Sequence, residues 1–229
     1  MTPIISIEGE EFTGKTTIIT PGLAEDFKKR GYEVLVSREP GGTSEGEALR
    51  QEIFKKMKEG IGPFEQAQLF TRARKIHIDQ VIKPFIENHD HAKKLIILDR
   101  YLDSTRVYQG LEGSLDMEII FKLEQDFGIN NFLPAATLIL YIPSENFENI
   151  LRQRQIQAHG ERKDETTFHN ETIETYVNRG KHYMTLPQIA QSNNEIRPFI
   201  SINSDQPPKE LVASSIKALN KALPHLFDI

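Results

Sequence analysis

The segment Gly9-Glu10-Glu11-Phe12-Thr13-Gly14-Lys15-Thr16 constrains this chain more than any other. It fits G-x-x-x-x-G-K-[ST], a loop that turns backbone N–H groups inward around phosphate oxygens. Four specified positions arise by chance in roughly one chain in a hundred of this size. The flanks narrow the choice further. Ile4-Ile5-Ser6-Ile7 reads as a short buried strand, and Thr16-Thr17-Ile18-Ile19 opens a helical pattern. Strand, glycine loop and helix form the setting the motif needs, with the positive end of the helix aimed at the anion. In this reading Gly9, Glu10, Glu11, Phe12, Thr13, Gly14, Lys15, Thr16 and Thr17 cradle a nucleoside triphosphate. Lys15 reaches the β/γ-phosphates and the Thr16 hydroxyl binds Mg²⁺. The bland alternative is an ordinary glycine turn before a helix.

The bulk composition is compatible with that reading. At 229 residues the chain suits one domain with a sizeable core. Hydrophobic content of 38% and charged content of 27% are those of a water-soluble globular protein. A net charge of −5 gives no bulk attraction to a polyanionic nucleic acid. Without cysteine there is no disulfide framework, thiol nucleophile or cysteine-ligated zinc. No apolar run approaches membrane-spanning length and the first strand begins at once, so a cytoplasmic location is expected.

Apolar runs alternate with helical patterns, which predicts an α/β fold with a mostly parallel sheet. The expected strands are Ile4–Ile7, Glu33–Val36, Leu95–Leu98, Thr137–Ile142 and Phe199–Ile202. Helices are expected near Thr16–Arg30, Glu45–Glu59, Phe64–Ile86, Leu115–Phe127, Asn146–Ala158, Glu171–Gln191 and Lys209–Leu223. Pro21-Gly22 falls inside the first of these, where proline removes a helix bond, so a kink or bulge is expected near Thr20–Gly22. Asp99 closes the apolar strand Ile96-Ile97-Leu98. Such a residue caps a helix or directs a metal ion, and the phosphate loop favours the metal.

Further residues gather at strand ends, where open α/β sheets bind ligands. Arg38-Glu39-Pro40-Gly41-Gly42-Thr43 follows the second strand, either as a ligand-facing corner or as a surface turn with an incidental ion pair. Arg100, beside Asp99, is suited to grip an acceptor phosphate bidentately. Thr105 and Gln109 share a helix face able to read a base edge, with Tyr108 next to it, or they belong to a plain amphipathic helix. Phe70 and Arg74 lie one turn apart, able to stack on and hydrogen-bond a nucleobase, unless Phe70 is simply core. The polar segment Gln157–Thr167 is a solvated loop or a mobile lid. Arg152, Arg154, Arg162 and Lys163 there can supply the cation that the loop lacks before Lys15.

Taken together these runs resemble the thymidylate kinases, the dTMP kinases of the nucleoside-monophosphate kinase superfamily. The similarity extends over nearly the whole chain. It is carried most specifically by Arg38–Thr43 and by Asp99-Arg100-Tyr101 continuing through Ser104-Thr105 to Tyr108-Gln109-Gly110. The resemblance implies a three-layer α/β/α P-loop kinase domain over 1–229, with a five-stranded parallel sheet in order 2-3-1-4-5 and a helical lid at about 152–167. It implies Mg²⁺-dependent transfer of the ATP γ-phosphate to dTMP, and a homodimer formed through core helices. Lys15, Arg100, Arg162 and Arg152 are then the catalytic cations, and Thr16 and Asp99 the metal-associated pair. The dTMP pocket comprises Glu11 at the sugar, Arg38 and Glu39 near the acceptor phosphate, and Pro40 bordering the base. Phe70 stacks on thymine, Arg74, Thr105 and Gln109 contact it, Tyr108 lies beside the ribose, and Arg100 clamps the phosphate.

The chain departs from the family pattern at several places. Phe12 stands where many members have glycine or arginine, which moves the burden of charge to the lid. Glu161-Arg162 replaces the family's Asp-Arg, with fewer residues before Phe168-His169. Tyr141 and Val107 replace an acidic residue and a small alanine, and Pro21-Gly22 adds one residue to the first helix. The residues also allow two other readings: a kinase for another deoxynucleotide or deoxynucleoside, and a nucleotide-binding regulatory module without turnover.

Overall fold

The computed structural model describes residues 2–88, 93–143, 146–161 and 171–224, with 155–161 described by their backbone alone. Strands β1 (Ile4–Gly9), β2 (Tyr32–Arg38), β3 (Lys93–Asp99), β4 (Ala136–Tyr141) and β5 (Phe199–Asn203) form one sheet in order β2-β3-β1-β4-β5. Every neighbouring pair is parallel. The expected sheet and its order are therefore present. The register brings Asp99 opposite both Ile7 of β1 and Arg38 of β2. The carboxyl ends of these strands meet at one edge, beside the point where the strand order reverses, which is where such sheets bind ligands.

Successive residues of β1 and β3 face opposite layers. Ile5, Ile7, Leu95 and Ile97 pack with α1 (Thr20–Lys29) and α10 (Pro208–Ala222), through Leu23, Phe27, Leu211 and Leu219. Ile4, Ile96 and Leu98 pack on the other side with Ile78, Ile82, Tyr101 and Leu102. Burial on both faces explains why these strands read as continuous apolar runs. Gly22 lets α10 close on α1, since a Cβ there would lie 2.4 Å from Val212 Cγ2.

The bulge expected at Pro21 takes the form of a π-helical turn. Lys15–Ile19 is π-helical and runs into α1, whose first turn holds Pro21. The same arrangement recurs later: α2 (Ser44–Lys58) is followed by α3 (Pro63–His77), then a π turn over Ile78–Ile82, then α4 (Lys83–Glu87) with Pro84 in its first turn. A widened turn makes room ahead of a proline ring that cannot join the regular ladder. The single helix expected over Glu171–Gln191 is two. With α6 at Met117–Asp126 and α7 at Phe147–Glu161, these are α8 (Ile173–Met184) and α9 (Leu186–Ser192), parted at Thr185 with Pro187 opening the second.

The helix face expected at Thr105 and Gln109 belongs to α5 (Leu102–Thr105) and to the π-helical stretch over Arg106–Glu112 into which it runs. Its buried face is polar as well as apolar, so it lacks the usual periodicity. Asp103 accepts from Thr137 Oγ1 (3.0 Å) and from Arg197 Nη2 (2.8 Å), and Arg106 Nη2 donates to Glu124 Oε2 (2.6 Å). Among the described residues, no helix is long and apolar enough to cross a membrane.

Candidate active site

The loop between β1 and the first helix has the backbone its glycines permit. Gly9 has φ 125, and a Cβ there would lie 2.1 Å from the Leu140 carbonyl oxygen. Gly14 is left-handed at φ 84 and its carbonyl accepts from both Ile18 N and Ile19 N at 3.0 Å. The ammonium of Lys15 folds back into the loop, donating to Glu10 O at 2.5 Å and lying 3.4 Å from Thr13 Oγ1. Burial, and next the Arg100 charge, pull its pKa down towards neutrality. Phosphate oxygens entering the loop would meet this cation and favour its charged form. Thr17, in the π-helical turn that follows the loop, is exposed.

A single turn after β3 serves two sides of the site. Thr16 Oγ1 donates to Asp99 Oδ2 at 2.5 Å. Arg100, next in sequence, has φ 66, a conformation that L side chains rarely adopt. Its own N–H donates to Ile7 O at 3.0 Å. The strained turn is held from below by Glu8, which accepts from Tyr101 N and from Ser104 Oγ, each at 2.7 Å. Arg100 Nη1 then donates to the Tyr183 hydroxyl at 2.7 Å, with the guanidinium 5.4 Å from the centre of the Tyr108 ring. Burial first, and Asp103 second, push the Glu8 carboxyl up to about 7. The Thr16 hydroxyl and the Asp99 carboxylate are hard oxygen donors beside the phosphate loop. They fit Mg²⁺, which takes few protein oxygens and completes its shell with phosphate and water.

Arg74 sits deep beside this turn, 3% exposed. Its Nε donates to Glu39 Oε2 (2.7 Å), and its Nη2 to Tyr101 O (3.0 Å) and Thr105 Oγ1 (3.2 Å). Its Nη1 is buried with no hydrogen-bond partner. Gln109 is buried and donates to Gln66 Oε1 at 3.1 Å. Phe70 is half-buried, with part of its ring packed on Leu49, Ile53 and Ala73. Pro40 is half-buried, its carbonyl accepting from Arg50 Nη1 at 3.0 Å. Arg38 stands exposed at the end of β2, paired with Glu47 at 3.0 Å. Thus Arg74, Thr105 and Glu39 come together as one cluster, whereas Arg38 points to solvent.

The opposite wall comes from α7 and α8. Phe12, itself left-handed at φ 60, meets the Tyr176 ring edge-on at 6.1 Å. Its carbonyl accepts from Arg154 Nη1 (2.6 Å), and Arg154 Nη2 donates to Ser204 O (2.7 Å). Arg152 is on the outer side of α7, in an exposed pair with Glu148 at 2.7 Å. Arg162, and 162–167 of the expected lid, lie outside the described residues. Glu11 is half-buried and its N–H donates to Glu10 Oε1 at 2.8 Å. Val107 packs into the core against Ile139, Tyr183 and Leu186.

Several contributors carried no signal in the sequence. Arg179 of α8 is 2% exposed and joins three parts of the site. It donates to Glu112 (2.6 Å) and to both oxygens of Glu171 (2.7 Å each), and lies 3.4 Å from Glu10. Its guanidinium is 4.6 Å from the centre of the Tyr108 ring, on which Arg100 also rests. Burial raises Glu10 to about 7, and its Oε2 has no partner. Glu8 and His77 likewise act through buried contacts made far along the chain.

Comparison with known proteins agrees with this geometry. The family model described as Thymidylate kinase matches residues 7–197. A protein named Thymidylate kinase from Bartonella quintana (strain Toulouse) is 39% identical over 140 residues, covering 61% of this chain and 63% of that protein. Another of the same name, from Leuconostoc mesenteroides subsp. mesenteroides, is 30% identical over 197 residues, covering 86% of this chain and 90% of its own. The chain thus spans a little under two thirds of the first relative and nine tenths of the second. The chain belongs to the thymidylate kinase family, a family of phosphotransferases.

Proposed function

We propose that this chain transfers the γ-phosphoryl group of ATP to dTMP, giving dTDP and ADP, as a single kinase domain with a lid over about 152–167. The observation that carries the reading is the Asp99-Arg100 turn. One residue bonds Thr16 of the phosphate loop, while the next reaches Tyr183 and the Tyr108 ring on the other side. A donor subsite and an acceptor subsite therefore share one strand end. On this reading Gly9–Thr16 binds the ATP phosphates, with Lys15 on the transferring group. Arg100 holds the dTMP phosphate in line, and Arg38 swings in from solvent to assist. Glu11 and Tyr108 line the sugar, and Phe70, Pro40, Thr105, Gln109 and Arg74 surround the base. Little covalent chemistry is asked of these groups; positioning and charge neutralisation supply catalysis. Thr16 and Asp99 would hold Mg²⁺, which when bound would supply positive charge to the donor phosphates. Because Phe12 gives the loop no charge, the remaining cation is assigned to the arginines of the lid segment, Arg162 and Arg154 among them. A homodimer and a cytoplasmic location belong to the same proposal.

The test is a coupled ADP-release assay with ATP, Mg²⁺ and dTMP. Release should depend on dTMP, and Lys15→Met should abolish nearly all of it. Unchanged ADP production by Lys15→Met would remove the phosphate loop from the mechanism.

A further inference from the structure

We propose that His77 is a positioning residue that sets the base specificity of this site through Glu39 and Arg74. The inference deepens the dTMP reading and rests on it. His77 is on α3, 1% exposed, and lies between two polar groups. Its Nδ1 is 2.8 Å from Glu39 Oε1 and its Nε2 is 2.7 Å from Ser37 Oγ. A carboxylate only accepts, so Nδ1 carries a proton and donates to Glu39. The other Glu39 oxygen holds Arg74 Nε at 2.7 Å. With each oxygen held by a different partner, the carboxylate plane is fixed, and with it the orientation of the guanidinium.

The backbone is shaped around this relay. Gly42 has φ 83, and a Cβ there would lie 2.7 Å from Ser37 Oγ and 2.9 Å from His77 Cδ2. The chain folds over the Ser37–His77 pair with no room for a side chain. At the far end, Arg74 spends Nε on Glu39 and Nη2 on Tyr101 O and Thr105, leaving Nη1 buried and unpartnered. A buried donor left unpaired is costly, and an acceptor on the bound base would relieve that cost. The carbonyl at position 4 of thymine is an acceptor; the amine at position 4 of cytosine is a donor. Discrimination then depends on where Nη1 points. His77, which touches no substrate, controls that direction at second hand.

The test compares two isosteric replacements. Asparagine puts its amide nitrogen near the place of Nδ1 and keeps the donor to Glu39. Glutamine puts its amide near Nε2 and loses it. The measurement is the ratio of kcat/KM for dTMP to that for 5-methyl-dCMP, which keeps the methyl group and changes position 4. His77→Asn should hold the ratio within about threefold of wild type, whereas His77→Gln should lower it about tenfold, chiefly through KM for dTMP. Ser37→Ala, which leaves the ring in place, should lower it about threefold. An equal loss in the asparagine and glutamine variants means that His77 only fills space, and overturns the proposal. So does a ratio unchanged in His77→Gln, or, should that variant not fold, in Ser37→Ala. A wild-type protein that does not distinguish the two nucleotides defeats the acceptor assignment and the inference with it. A discriminating wild type whose ratio His77→Gln leaves unchanged defeats the inference alone.

Discussion

Thr16 and Asp99, 83 residues apart in sequence, are joined by a 2.5 Å hydrogen bond between the threonine hydroxyl and the carboxylate. The parallel register makes the contact possible, because Asp99 lies opposite Ile7, just before the phosphate loop. The bond fixes the end of β3 against the start of the first helix, and so fixes Arg100 relative to Lys15. Oxygen donors for a divalent cation and the proposed clamp for the acceptor phosphate thereby share one rigid corner.

Asp99→Asn keeps the size of the side chain and removes its charge. It should raise the free Mg²⁺ concentration needed for half-maximal rate by about tenfold. Initial rates measured against free Mg²⁺ at saturating ATP and dTMP would check this; an unchanged requirement would separate Asp99 from the metal.

Glu8 gives a pH-dependent prediction about stability. Its carboxyl titrates near 7 when folded, against an ordinary 4.5. The folded chain holds this proton more tightly than the unfolded one. The stabilisation linked to that proton is complete below 4.5 and is lost as pH rises through 7. Glu8→Gln cannot titrate. The Tm of Glu8→Gln minus that of wild type should therefore grow more positive from pH 5 to pH 8, whereas a difference that does not change with pH would contradict the burial argument.

How much of this was legible in the sequence follows from which interactions are local. β1 and β3 announced themselves because both faces are buried, and the phosphate loop because its glycines and Lys15 form a local motif. The helix from Leu102 to Glu112 was legible only as the face shared by Thr105 and Gln109, since its buried Asp103 and Arg106 find charge partners at Arg197 and Glu195, 94 and 89 residues away. Arg152 and Arg154 lie two residues apart on α7, roughly 200° around the helix from one another. Spacing cannot decide which of them faces the loop; packing of the helix puts Arg154 on Phe12 and turns Arg152 outward to Glu148. Arg179 meets Glu10 across 169 residues, a pairing that no sequence window contains.

That pairing has a cost if broken. Arg179→Met leaves Glu10, Glu112 and Glu171 without their shared cation. The variant should lose about 3 kcal/mol of stability, roughly 6–12 °C in Tm. Thermal melts followed by circular dichroism would show it, and a shift within about 2 °C would mean that the cluster contributes little.

Arg154 and Arg152 make a matched pair for kinetics. Arg154→Ala frees the Phe12 carbonyl and loosens α7 from the phosphate loop, so kcat should fall by more than KM for dTMP rises. Arg152→Ala removes an exposed pair of small energetic weight and should affect kcat less. Steady-state kinetics of both variants decide the order, and a larger loss in Arg152→Ala would reverse the assignment.

The dTMP assignment requires a phosphorylated thymine nucleotide as acceptor, and the most direct measurement is ATP-dependent ADP release over dTMP, dUMP, dCMP, dGMP and thymidine. It predicts that dTMP has the highest kcat/KM of the five and that thymidine, which offers Arg100 no phosphate, is the poorest thymine substrate. Turnover of dTMP no better than that of the other nucleotides, or of thymidine as fast as dTMP, would contradict it.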